Sequence, residues 1–212
     1  MKDVVTDPEK VERILRTAMV LFGRQGFFAS KTDEIAQKAR VSKGLIFHYF
    51  GSKIDLYVDT YHYTFEHLYH RMDKRVWTDA NGLAEMVVRV TRYKIELQLT
   101  YPDEFRFLVQ AYADLPHFPE TLRNEINRQN VQLMQLSHSI FADVINKLPF
   151  RKGIQKQDVM ALVSSVVDSG IAKAEKLMAS GGDYKRVEDF QPTIDKIRRQ
   201  LEIIEHGFLP AK

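Results

Sequence analysis

The sequence predicts an all-α fold of about nine helices, headed by three short helices in a helix-turn-helix arrangement. Three observations predict it. Apolar residues recur at helical spacing along most of the chain, β-branched alternating runs are nearly absent, and Gly, Pro and Asn clusters cut the periodic stretches into helix-sized pieces. Composition agrees: 44% hydrophobic and 28% charged over 212 residues gives a chain able to bury a core and too apolar for a disordered one. No apolar run approaches the roughly 18 residues that span a bilayer. The start, MKDVVTDPEKVER, lacks the apolar stretch of a secretory signal, so a cytoplasmic protein without a membrane partner is expected. The absence of cysteine excludes a disulfide scaffold, a Cys-ligated zinc finger, an Fe–S site and a thiol nucleophile.

The elements follow in order. Asp7 is placed to cap a first helix with Pro8 at its first position, and Gly26 to end it. Ser30 begins a box-like Ser-Lys-Thr-Asp before a short helix, Thr32 to Ala39. After Arg40-Val41, Ser42 caps a third helix that Gly51 breaks. Ser52 opens a long fourth helix expected to reach about Lys74. Asn81-Gly82 precedes a helix that Tyr101-Pro102 stops, and a short one runs from about Asp103 to Asp114. A helix to Leu148 follows Pro119, another covers Gln155 to Ser180, and the last runs from about Pro192 to Gly207. The expected domain boundary falls between 52 and 53.

Charge and pattern meet in the first quarter. Residues 1–53 carry ten Lys and Arg against six Asp and Glu, a balance of +4, while the remainder balances to −1. A basic end on a near-neutral body points to an anionic partner. At about 100° per residue, Ile46 and Phe50 share an inward side of residues 42–50. Gly44 and His48 fall opposite, flanked by Leu45 and Phe47. A second helix so exposed is the one that enters a DNA major groove. Its N-terminus, Lys43, Lys53 and the Tyr49 hydroxyl offer contacts to phosphate.

These residues resemble a known family. Residues 14–22, Gly26-Phe27, Ile35-Ala36, Val41-Ser42-Lys43-Gly44, and His48-Tyr49-Phe50-Gly51-Ser52-Lys53 with Leu56 match the pattern of TetR-family regulators in order and spacing. The resemblance covers about residues 10–58 in detail and the rest only in its helical layout. It implies a homodimeric repressor, bound to a palindromic double-stranded operator, with a C-terminal helical domain for ligand binding and dimerisation. A small apolar or aromatic molecule would release it. Carried over by position, the DNA contacts are Ser30, Lys31, Lys43, Gly44, Leu45, Phe47, His48, Tyr49 and Lys53. Three departures stand out. Arg40 occupies the usual turn glycine, Leu45 replaces a threonine and offers an apolar contact to a thymine methyl, and Phe47 replaces a tyrosine.

The rest of the chain is less specific. His62, Glu66 and His70 repeat every four residues, but two turns separate the ends by about 12 Å, so a polar face is preferred to a metal site. No His-Glu-x-x-His, phosphate loop or nucleophile elbow occurs, and no catalytic residue, cofactor or metal is assigned. Phe65, Tyr93, Phe105, Tyr112 and Met134 are the candidates to line a ligand pocket. Ile194, Ile197, Leu201 and Ile204 form a narrow apolar seam on the last helix, and the preceding long helix offers Leu162, Val166, Asp168 and Gly170. Together they are the expected dimer interface. The competing reading is a helical enzyme or metal-binding protein whose N-terminal motif is coincidental or vestigial. The basic first quarter and the outward face of residues 43–48 favour the regulator.

Overall fold

The computed structural model describes residues 7–73, 75–78, 82–129, 131, 150–179 and 186–207, all helical or irregular. The helices are α1 (Pro8–Ala29), α2 (Thr32–Lys38), α3 (Lys43–Phe50), α4 (Lys53–Tyr69), α5 (Arg75–Thr78), α6 (Leu83–Thr100), α7 (Pro102–Asp114), α8 (120–129), α9 (Lys156–Ala179) and α10 (Gln191–His206). Among these residues, no helix is long and apolar enough to cross a membrane.

Several helix ends follow from their capping residues. The Asp7 carboxylate accepts from the N–H groups of Glu9 and Lys10, and the hydroxyls of Ser42 and Ser52 accept from Leu45 and Asp55. Other ends differ from expectation. Gly26 leaves helical geometry, with φ 73° and ψ 173°, yet the chain coils on to Ala29. The fourth helix stops at Tyr69, and a separate α5 follows. Pro102 does not merely stop α6; it starts α7, where its missing N–H costs nothing. The part of the expected long helix from 132 to 148, with Met134 in it, lies outside the described residues.

The chain divides into two compact units. The first is the described part of Met1–Met72 with Tyr101–Leu133. The unit that holds the helix-turn-helix therefore runs past residue 52 and takes in α4, α7 and α8. Its core is aromatic: Phe22, Phe27, Tyr57, Phe107 and Phe118 meet ring against ring, with the Tyr57 ring 4.7 Å from Phe22 and 5.3 Å from Phe107. Burial drives the Tyr57 phenol far above its ordinary pKa and that of Tyr61 to about 12, so both hydroxyls stay protonated.

The second unit is the described part of Asp73–Thr100 with Met134–Lys212. Here α10 packs on α6 and α9. Ile194, Ile197 and Leu201 are buried among residues of their own chain. A Cβ on Gly170 would overlap the Ile197 side chain, so α9 and α10 approach closely at that point. This corrects the expected interface: Gly170 and the core of the seam face inward. Glu205 ties the end of α10 to the start of α6, accepting from the N–H groups of Leu83 at 2.7 Å and Ala84 at 3.1 Å. Leu162, 55% exposed, and Asp168 on α9 and Ile203, 50% exposed, on α10 face outward. Val166 and Ile204 are half-buried.

Candidate nucleic-acid interface

The turn between α2 and α3 closes on backbone chemistry alone. The Val41 N–H reaches the Ala36 carbonyl at 3.0 Å and the Arg40 N–H reaches Gln37 at 3.1 Å, the paired bonds of a helix end that turns left-handed. Arg40 supplies that left-handed residue at φ 54°, the only non-glycine with positive φ among the described residues. For a residue with a Cβ that conformation costs about 1 kcal/mol relative to an unstrained backbone.

Beyond the turn, α3 divides as its periodicity dictates. Ile46 and Phe50 are buried against the core. Gly44, Phe47 and His48 are exposed, and Leu45 and Tyr49 are half-buried beside them. The Phe47 ring, 40% exposed, stands where water alone would otherwise meet an apolar face. Lys43 is pinned by an exposed ion pair, its ammonium 2.8 Å from Asp33 on α2. Such a pair is worth no more than about 1 kcal/mol, so a phosphate can take the ammonium from it.

Two expected contacts sit differently. Ser30 does not cap α2; Lys31 holds that position with no side-chain bond. The Ser30 hydroxyl, at 1% exposure, donates to the carbonyls of Gly26 at 2.7 Å and Leu21 at 3.3 Å. Its side chain satisfies the end of α1 and is closed to phosphate. The Tyr49 hydroxyl accepts from the Asp7 N–H at 3.3 Å, tying the recognition helix to the start of α1. Lys31 is exposed as expected.

Lys53 stands at the first position of α4. Its ammonium lies 4.6 Å from the centre of the Phe27 ring and 3.4 Å from the Phe28 carbonyl. Partial burial holds its pKa below the ordinary 10.5, in the direction of weaker protonation. The segment that supports it is fixed from α7. Asp114 accepts the Phe27 N–H at 3.0 Å and is itself held by Gln110 at 2.9 Å. Nothing in the motif pointed to Asp114, which stands 87 residues from its partner.

The described ligand-pocket candidates divide between the two units. Phe65 and Phe105 are half-buried in the first unit, and the Phe65 ring lies 6.2 Å from Tyr69. Tyr112, on the same unit, is 75% exposed. Tyr93 belongs to the second unit, where its hydroxyl accepts from the Asp73 N–H at 2.8 Å. The histidines of α4 have separate partners. His62 meets Glu125 and Gln129, and His67 lies 3.4 Å from Glu104.

Two short helices at a tight turn, the second bearing an exposed polar and aromatic face between lysines, define a helix-turn-helix DNA-binding protein. Residues 14–60 match the family described as bacterial regulatory proteins, tetR family. The HTH-type transcriptional regulator HbdR of Aromatoleum sp. (strain CIB) is 45% identical over 60 residues, 26% of each chain, so this match spans about a quarter of that relative. The biofilm operon icaADBC negative regulator IcaR of Staphylococcus aureus (strain Newman) is 22% identical over 168 residues, 77% of this chain and 83% of that one. The fold is shared with the transcriptional regulator FadR from Bacillus subtilis, solved in complex with stearoyl-CoA, at a TM-score of 0.65 and 16% identity over 93% of this chain and 99% of that one. Over residues 14–60 the chain is similar to the TetR family of DNA-binding transcriptional regulators.

Proposed function

We propose that the chain is a homodimeric repressor that binds a palindromic operator and leaves it when a small apolar or aromatic molecule binds. The observation that carries the DNA part is the division of α3, with Ile46 and Phe50 buried and Gly44, Phe47 and His48 exposed between Lys43 and Lys53. In this reading Lys31, Lys43 and Lys53 meet phosphates, and Leu45, Phe47 and His48 meet base edges and thymine methyls. Gly44 lets the start of α3 approach the groove. Residues 1–52, with Lys53 at the start of α4, recognise DNA, and the residues beyond respond to ligand and pair the protomers.

Repression is supported by the IcaR likeness, since that relative is named a negative regulator. An apolar ligand is supported by the FadR likeness, since that protein was solved with an acyl thioester. Pairing rests on the apolar residues that the second unit leaves outward, Leu162 and Ile203. A dimer sets two recognition helices about 34 Å apart, the spacing of successive major-groove half-sites. The test is titration of the protein against labelled duplexes from the DNA upstream of its own gene. A single inverted repeat bound in preference to scrambled duplex is expected; equal affinity for both would remove the operator from this reading.

A further inference from the structure

The α1 segment beneath Lys53 is held from both sides. Gly26 breaks the helix at φ 73°, which frees the Phe27 N–H from the helical ladder. Asp114, the last residue of α7, takes that N–H at 3.0 Å. The fit is tight: a Cβ on Gly26 would stand 2.8 Å from the same carboxylate oxygen. On the far side, the next residue's carbonyl and the Phe27 ring are the two groups against which the Lys53 ammonium rests. A lysine side chain is otherwise free to sample many rotamers, so a rest of this kind sets where its charge stands before DNA arrives.

Resting on the reading of Lys53 as a phosphate contact, we propose that Asp114 is a positioning residue for DNA binding: by holding Phe27 at the break in α1 it fixes the stand of the Lys53 ammonium and links it to α7. Phe27 joins the two physically. Its N–H is bound to Asp114, while its ring packs 5.2 Å from Tyr57 and 5.6 Å from Phe118 and carries Lys53 on its face. A displacement of α7 at its C-terminal end moves Phe27 and with it the charge offered to phosphate. No side chain of the recognition helix takes part, so the link acts on phosphate affinity and leaves base preference alone.

A double-mutant cycle with Asp114→Ala and Lys53→Ala tests this on the full-length protein, with affinity for its operator duplex read across a salt titration. Lys53→Ala is expected to lower the log–log salt slope by about 1 for each protomer bound. Asp114→Ala should lower it by a similar amount, the double variant should be no weaker than Lys53→Ala alone, and Asp114→Asn, which keeps an acceptor for Phe27, should restore the slope. If Asp114→Ala fails to fold, Asp114→Glu, whose longer arm displaces Phe27, replaces it with the same expectation. Additive losses, or an unchanged slope in the Asp114 variants beside a lowered slope in Lys53→Ala, would overturn the inference while leaving the DNA interface standing. An unchanged slope in Lys53→Ala overturns both.

Discussion

Arg40 shows how much a single backbone angle can weigh. Its left-handed conformation closes the turn on which the placement of α3 depends, and a residue without a Cβ would hold it at lower cost. Arg40→Gly is therefore expected to raise unfolding free energy by up to about 1 kcal/mol, read by urea denaturation. A loss of stability would mean that the arginine side chain contributes more than its strain removes. Gly26 is the opposite case. Gly26→Ala should destabilise by at least about 1–3 kcal/mol, because strain at positive φ adds to the encounter with Asp114. His67 adds a pH dependence. Burial first, and then the neighbouring Arg71, hold its pKa below the ordinary 6.5, against the opposing pull of Glu104. The unfolded chain then takes up the proton first as pH falls. Stability is full above the ordinary value and declines as pH drops through it toward the lower folded value. His67→Gln should flatten that decline in denaturation curves taken between about pH 7.5 and 5.5; an identical decline would assign it to other groups.

At the scale of the helices, α10 separates two roles that one pattern serves. Leu201→Glu should cost at least about 3 kcal/mol, since an unpaired charge would enter the core of the second unit. Leu162→Glu, on an exposed site, should keep the helical content and melting temperature of a folded protomer and sediment as a monomer. Melting and sedimentation of both variants check this; a Leu201→Glu protein that is fully folded and monomeric would return the seam to the interface. The sequence showed the apolar spacing of 194, 197, 201 and 204 but not its partner, because the same spacing marks any face that leaves water. The division of α3 was legible for the converse reason: a short helix with Ile46 and Phe50 on one side has only one way to sit on a core. Ser30 misled because serine satisfies a helix end as readily behind it as ahead of it, and here it bonds back to Gly26 and Leu21. Asp114 left no local pattern, since its bond to Phe27 exists only once α7 lies against α1. The pocket aromatics were legible as apolar mass only; composition does not say which rings face a ligand.

For the whole molecule, regulation requires that ligand and DNA prefer different states of one equilibrium. A ligand of the proposed class should raise the melting temperature and weaken operator binding together, and the two effects must be reciprocal. Stabilisation without any loss of operator affinity would make this a regulator that does not respond to that ligand. Before either effect has meaning, the exposed face of α3 and its flanking lysines must bind DNA. The most direct measurement is the salt dependence of operator affinity for the Lys43→Ala/Lys53→Ala double variant beside the unmodified protein. Two lost phosphate contacts per protomer should weaken binding to every duplex and lower the slope by about 2 for each protomer bound, with the preference for the inverted repeat retained. An unchanged slope and unchanged affinity across the titration would contradict the assignment of this face to DNA.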